Sequence, residues 1–115
     1  MKKKNIVKKN NEFSRIIQNN SAYKCGDYLV FIEKNTNDFY HFGISVSKKI
    51  GNAVTRNKIK RRMKAIIDQY DYKNNFNCII IVRKSILNSS FSKMKEDIHK
   101  IICKLNIEKE IENEK

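Results

Sequence analysis

The stretch Ser47–Lys64, SKKIGNAVTRNKIKRRMK, is the most basic part of the chain. It contains eight Lys or Arg side chains and no acidic residue. Gly51 and Asn52 predict a turn and an N-cap, and a helix is expected from Asn52 to Tyr70. On a helical projection at about 100° per residue, the basic ridge and the neighbouring apolar face separate cleanly. The ridge contains Arg56, Asn57, Lys60, Arg61 and Lys64, and the apolar face contains Ile59, Met63, Ile66, Ile67 and Tyr70.

The basic ridge predicts a polyanionic partner. Arg56, Lys60 and Lys64 follow one another at i, i+4 spacing, where like charges repel, and no carboxylate stands between them. A helix that only needed to be soluble would interleave Glu with these cations. The pattern therefore favours nucleic acid as the partner, and a solvated charged face is the alternative.

Length and charge distribution agree with a single nucleic-acid-binding domain. The chain has 115 residues, of which 40% are hydrophobic, and this is enough for one core. Residues 1–64 contain 16 basic and four acidic side chains, whereas residues 65–115 contain nine and eight. Positive charge is thus concentrated where a binding surface is expected.

Several classes of protein are disfavoured by simple features of the chain. The basic N-terminus lacks the apolar run of a signal peptide, and no stretch approaches the roughly 20 apolar residues of a membrane span. Cys25, Cys78 and Cys103 are odd in number and far apart, which indicates reduced thiols and a cytoplasmic location. We therefore expect no membrane partner and no metal site.

The order of elements predicts an α+β fold, a single-domain two-layer sandwich with a small sheet. Residues 1–7 and 108–115 are expected to be loose, and residues 19–27 to form a connection. Apolar residues from Phe91 to Leu105 follow helical spacing and are predicted to be core. The elements are a helix at 10–19, strands at 28–34 and 39–47, the basic helix, a central strand at 76–83 and a helix capped by Ser90.

The strand at 39–47 has one apolar and one small polar face. It is expected to pair antiparallel with the strand at 28–34, with one face in the core. Gly43, Ser45 and Ser47 share the other face, where a nucleic-acid backbone or base could approach closely. A solvated outer face is an equal alternative.

No catalytic constellation is evident in the chain. The carboxylates are scattered, the two histidines are far apart, and no phosphate-binding glycine motif is present. We therefore expect no catalytic residue and no metal ligand, although a self-sufficient nuclease remains an alternative.

The stretch Gly43–Lys64, GISVSKKIGNAVTRNKIKRRMK, resembles the signature of the bacterial ribonuclease P protein component. In that family a small-residue strand leads through a KK-x-GNAV-x-RN turn into a basic helix. The early lysines followed by Phe13, the aromatic strand Tyr28–Phe31, the FNCIIIVRK strand and the last amphipathic helix also occur in the family's order.

The resemblance implies a subunit of an endoribonuclease, a hydrolase that removes the 5′ leader from precursor tRNA. The catalytic RNA and its bound Mg²⁺ would break the bond, and the protein would bind that RNA and the precursor tRNA. The implied catalytic-RNA-binding residues are Lys48, Lys49, Asn52, Arg56, Asn57, Lys58, Lys60, Arg61, Arg62 and Lys64.

The resemblance also implies a cleft for the single-stranded leader between the sheet and the first helix. It assigns Phe13, Ile17, Tyr28 and Phe31 to the lining, with Ser45 and Ser47 on the strand. Ile17 departs from the family, where an aromatic is common, because an aliphatic side chain packs against a base but cannot stack on it. Ordinary core packing is the alternative for Phe13 and Phe31.

The resemblance further implies a left-handed β-α-β crossover through the basic helix, against the general preference for right-handed ones. The rival function of a different class is a structural RNA-binding protein of the ribosome.

Overall fold

The computed structural model describes residues 2–7, 10–36 and 38–109, and within them it contains three α-helices and four strands. The helices are α1 (Asn10–Asn19), α2 (Ala53–Ile67) and α3 (Phe91–Leu105). The strands are β1 (Tyr23–Cys25), β2 (Tyr28–Lys34), β3 (His41–Val46) and β4 (Phe76–Val82). Short 3₁₀ turns occupy Lys3–Asn5 and Lys84–Asn88.

Two helices begin where their capping residues stand in the sequence. The side chain of Asn52 accepts a hydrogen bond from the Thr55 amide at 2.9 Å and so starts α2. The hydroxyl of Ser90 accepts one from the Lys93 amide at 3.1 Å and so starts α3. Both predicted caps are confirmed, since each satisfies an amide that the first helical turn leaves unpaired.

The sheet has the strand order β1-β2-β4-β3. Strand β2 pairs antiparallel with β1 and with β4, whereas β3 pairs parallel with β4. The predicted central strand is confirmed in β4. The predicted antiparallel pairing of the 39–47 strand with the 28–34 strand is wrong, because β4 lies between them. Strands β3 and β4 are parallel and are joined through α2, which confirms the predicted β-α-β crossover. The left-handed sense of this crossover stays a prediction.

The hairpin of β1 and β2 corrects the predicted connection at 19–27. Tyr23 to Cys25 pair with Val30 to Tyr28 across a turn at Gly26, where φ is +55°. This left-handed conformation is one that glycine adopts readily. A two-residue Gly-Asp link between apolar residues is a hairpin signal. Gly26 and Asp27 form such a link, so this hairpin could have been predicted from the sequence.

The sheet is covered by helices on both faces. One face packs against α2 and α3 and holds the larger core, with Tyr28, Phe42, Cys78 and Ile80 buried in it. The opposite face packs against α1 in a smaller core that contains Ile16, Phe31 and Ile79. The predicted single-domain α+β class with a small sheet is confirmed, and α1 adds a partial layer on the second face.

The N-terminal segment corrects the prediction that residues 1–7 are loose. Ile6 forms a parallel bridge with Phe42, and the Val7 amide donates to the Phe42 carbonyl at 2.9 Å. The Asn5 amide group donates to the Tyr40 carbonyl at 2.7 Å. The apolar pair Ile6-Val7 explains why this segment is held in place. It lies alongside the edge of β3, and the side chain of Val7 is buried.

At the other end, the prediction that residues 108–115 are loose is wrong for Glu108 and Lys109. Glu108 forms an antiparallel bridge with Tyr72, and the Lys109 amide donates to the Asp71 carbonyl at 2.8 Å. Residues 110–115 of the predicted tail lie outside the described residues, as does Met1 of the N-terminal segment.

Candidate nucleic-acid interface

An open cleft of about 530 Å³ lies between α1, β3 and α2. It forms at the edge of the sheet, where β3 has β4 on one side and only the short Ile6 bridge on the other among the described residues. The lining residues are Ile6, Val7, Asn10, Phe13, Ser14, Ile17, Phe42, Ile44, Ser45, Val46, Lys60 and Lys64.

The α1 wall of the cleft depends on a glycine in β3. Gly43 is buried beneath Phe13, and a Cβ at this position would lie 2.6 Å from Phe13 Cζ and 2.7 Å from Ile79 Cδ1. Because glycine has no side chain, the partly buried Phe13 ring can approach the backbone of β3 closely. Of the residues assigned to the leader, Phe13, Ile17 and Ser45 line the cleft. Ser47 is exposed beyond the end of β3, outside the lining.

Phe31 does not offer its ring to the cleft. It is 7% exposed and packs with Ile16, Ile79 and Val7 underneath α1. A base cannot stack on a ring that is covered in this way. The structure therefore supports the core alternative for Phe31, which holds α1 on the sheet.

Tyr28 is a correction to the predicted lining. Its side chain is fully buried on the opposite face of the sheet, in the core beneath α2 and α3. Tyr28 and Phe31 are three residues apart on one strand, so their side chains must point to opposite faces. Burial, followed by the nearby carboxylates of Asp27 and Asp97, raises the pKa of the Tyr28 phenol.

The basic side chains of α2 divide between two surfaces. Lys60 and Lys64 line the cleft and face Phe13 of α1 across it. Lys58, Arg61 and Arg62 border a shallow depression beside Phe91, at the start of α3. The predicted catalytic-RNA set thus contains two lysines that border the predicted leader cleft.

The remaining members of the predicted set lie at the start of α2. Lys48 and Lys49 are exposed in the turn before the helix, and Asn57 is exposed on its first turns. Arg56 is held against the turn, because its Nε donates to the Gly51 carbonyl at 3.2 Å. Asn52 is committed to the helix cap through its side-chain oxygen.

A polar network that the sequence did not reveal fixes α1 beside the cleft. Arg15 forms a two-pronged ion pair with Glu33, with nitrogen–oxygen distances of 3.2 and 2.9 Å. The Asn77 amide donates to Glu33 Oε2 at 2.8 Å, and Asn20 donates to Oε1 at 3.3 Å. The Arg15 hydrogen bond lowers the pKa of Glu33; burial opposes this shift, and the bonds from Asn77 and Asn20 reinforce it.

Some members of the cleft could have been found from the sequence. Asn10, Phe13, Ser14 and Ile17 follow the i, i+3, i+4, i+7 spacing of one helical face, so Asn10 and Ser14 share the wall that was predicted from Phe13. Ile6 and Val7 gave no such signal, because their position depends on a bridge to residue 42.

The described residues offer no evident metal centre, as no three Asp, Glu, His or Cys side chains come together among them. In the part of the chain that the structure describes, no helix has both the length and the apolar character to cross a membrane.

Comparison with known proteins identifies the family. The ribonuclease P family model matches residues 1–106. The ribonuclease P protein component of Mesoplasma florum is 37% identical over 107 residues, which cover 90% of this chain and 97% of that protein. That of Mycoplasma mobile is 39% identical over 111 residues, with 96% and 97% covered.

The fold agrees with this match. A solved mutant of the Staphylococcus aureus RNase P protein superposes with a TM-score of 0.83 at 28% identity, and the match covers 91% of each chain. Family model, relatives and fold therefore agree along almost the whole chain. The chain belongs to the ribonuclease P protein component family.

Proposed function

We propose that this protein is the subunit of ribonuclease P that binds the catalytic RNA and holds the 5′ leader of precursor tRNA. The family name implies a role in tRNA processing, and the shape of the cleft supports the finer assignment. The observation that carries it is one open cleft with an aromatic ring, a small polar strand residue and two lysines on its walls.

The cleft has the chemistry needed to hold a single strand without reading its sequence. Phe13 offers a ring on which an unpaired base can stack, an interaction that contributes about 1–3 kcal/mol and tolerates any base. Lys60 and Lys64 on the opposite wall are placed to attract the phosphates of the same strand. Ser45 on β3 is small enough for the backbone to approach the sheet. A factor that processes many different leaders needs this tolerance.

The cations of α2 that face away from the cleft are assigned to the catalytic RNA. Lys58, Arg61 and Arg62 continue the basic character of the helix on the side of α3. Lys48 and Lys49 extend this basic surface around the N-terminal turn, and Asn57 adds an exposed amide to it. Helix α2 then lies between two RNA segments and screens the repulsion between their phosphates.

In this proposal the catalytic RNA, which carries the Mg²⁺ ions, breaks the bond, and the protein supplies binding and positioning. The precursor tRNA is the substrate and the cytoplasm is the location. No side chain of the protein is assigned a step in the hydrolysis.

Cleavage of precursor tRNA by reconstituted components tests this function. Protein, cognate catalytic RNA and their mixture are compared at low Mg²⁺ concentration for release of the 5′ leader. We expect cleavage by the mixture to be far faster than by the RNA, and no cleavage by the protein.

Two other results would overturn the proposal. Cleavage by the protein without RNA would establish a self-sufficient nuclease. Absence of stimulation, with both components shown to be folded, would favour the rival function as a structural RNA-binding protein of the ribosome.

A further inference from the structure

Phe91 is a large apolar side chain that the fold leaves in solvent. It is the first residue of α3, whose other apolar residues Met94, Ile98, Ile101 and Ile102 are buried in the main core. Phe91 continues their helical spacing and was predicted to be core, but it is 41% exposed. The prediction is wrong for Phe91, because α2 beside it presents arginines and a lysine instead of an apolar surface.

Cations surround the exposed ring. The guanidinium carbon of Arg62 lies 6.0 Å from the ring centre, and Lys95 Nζ lies 5.8 Å from it. Both groups lie over the ring near the distance limit of a cation–π contact, and 41% of the Phe91 surface stays exposed beside them. Lys58, Arg61 and Ala65 complete the depression beside the ring.

The surface has an uncompensated positive charge. Among the described residues, no carboxylate lines the depression or forms an ion pair with Lys58, Arg61, Arg62 or Lys95. Lys93, two residues from both Phe91 and Lys95 in the chain, differs from these cations because it pairs with Asp97 at 2.7 Å. An exposed aromatic ring among unpaired cations matches an unpaired nucleotide, whose base can stack while its phosphates meet the charges.

We propose that an unpaired base of the catalytic RNA stacks on Phe91, and that Arg62, Lys58, Arg61 and Lys95 hold the adjoining phosphates. This inference rests on the proposed function, since it specifies where the catalytic RNA meets the protein. The surface is separate from the leader cleft, because Lys60 and Lys64 border the cleft and none of these residues does.

Binding of the catalytic RNA in the absence of tRNA tests the proposal, with three variants beside the wild type. Phe91→Ala should weaken binding about tenfold or more, because the stacking surface is lost. Phe91→Trp should bind the catalytic RNA about as tightly as the wild type does, because the larger ring can also stack on a base. Leu87→Ala is the matched control, since Leu87 is 49% exposed and does not line the depression, and it should bind as the wild type does.

A salt titration adds a readout that general destabilisation would not give. Phe91→Ala should leave the salt dependence of binding unchanged, because no charge is removed. Arg62→Ala should reduce its slope by about one ion. Both variants should keep the wild-type preference of the holoenzyme for precursor over mature tRNA, because the cleft is intact.

The proposal fails if Phe91→Ala and the wild type bind the catalytic RNA equally. Binding of an acidic protein to this surface would not rescue it in that case. It also fails if Phe91→Ala loses only the precursor preference, because that result would place Phe91 in leader binding. Failure of the wild-type protein to bind the RNA at all would instead reject the proposed function.

Discussion

The ring of Phe13 lies on the backbone of Gly43, so closely that a Cβ at Gly43 would come within 2.6 Å of Phe13 Cζ. This contact joins α1 to the edge strand β3 and forms one corner of the cleft that we propose for the leader. The geometry of the cleft therefore requires glycine, which has no side chain, at position 43.

Replacement of this glycine tests the contact. Gly43→Ala should lower the free energy of unfolding by about 1–3 kcal/mol, because the added methyl group overpacks the Phe13 and Ile79 side chains. Denaturant titration measures this change. In a Phe13→Ala background the penalty should shrink, since one of the two obstructing side chains is gone. An equal penalty in both backgrounds would show that Phe13 and Gly43 are not coupled.

Replacement of Phe13 is expected to weaken RNA binding, whereas replacement of Phe31 is expected to lower the stability of the fold. Phe13→Ala should reduce the preference for precursor over mature tRNA by about 1–3 kcal/mol, because a stacked base loses its partner. Phe31→Ala should instead destabilise the fold by about 3–5 kcal/mol, because Phe31 is buried beneath α1. Holoenzyme affinities and thermal unfolding of both variants distinguish these roles. A selective loss of precursor binding in folded Phe31→Ala protein would contradict its assignment to the core.

The two sides of α2 should respond to different RNAs. Lys64→Ala is expected to reduce the salt dependence of precursor binding by the assembled holoenzyme, by about 0.7 for a contact to a single strand. Arg62→Ala should leave that slope unchanged and reduce the slope for catalytic-RNA binding. The same change in both titrations for both variants would mean that α2 presents one continuous surface to one RNA.

The ion pair of Glu33 with Arg15 gives a prediction for pH. The pKa of Glu33 is lowered in the folded protein, so its stabilisation is present above the pKa of the unfolded chain and is lost as pH falls through the folded pKa. In Glu33→Gln, unfolding free energy should therefore fall less on acidification than in the wild type. Denaturant titrations at neutral and acidic pH measure this difference. Parallel pH profiles would show that the ion pair contributes nothing to stability.

Helical spacing and capping residues predicted where the helices lie, but the predicted end of the basic helix at Tyr70 is wrong, because α2 ends at Ile67. Asn52 and Ser90 cap α2 and α3 where expected, and the buried residues of α2 are Ile59, Met63, Ile66 and Ile67. These features depend on neighbours in the chain, so they can be read locally. The period of 3.6 residues also separated the cations of α2 from its apolar face.

Pairing between distant strands could not be predicted in the same way. The position of β4 between β2 and β3 depends on contacts across more than 30 residues, and the bridge from Ile6 to Phe42 spans a similar distance. The error at Tyr28 was avoidable, because strand residues three apart cannot share a face. The network of Glu33 with Asn77 required the register of β2 and β4, which only the structure supplies.

The most direct measurement of the central claim is the affinity of the holoenzyme for precursor tRNAs with leaders of increasing length. For the wild type, affinity should rise with length until the cleft is filled, because Phe13, Lys60 and Lys64 bind successive parts of the leader. For the Phe13→Ala/Lys64→Ala double variant, the dependence on leader length should be largely lost while affinity for the catalytic RNA is kept. The same dependence on leader length in both proteins would contradict the account and place the leader elsewhere.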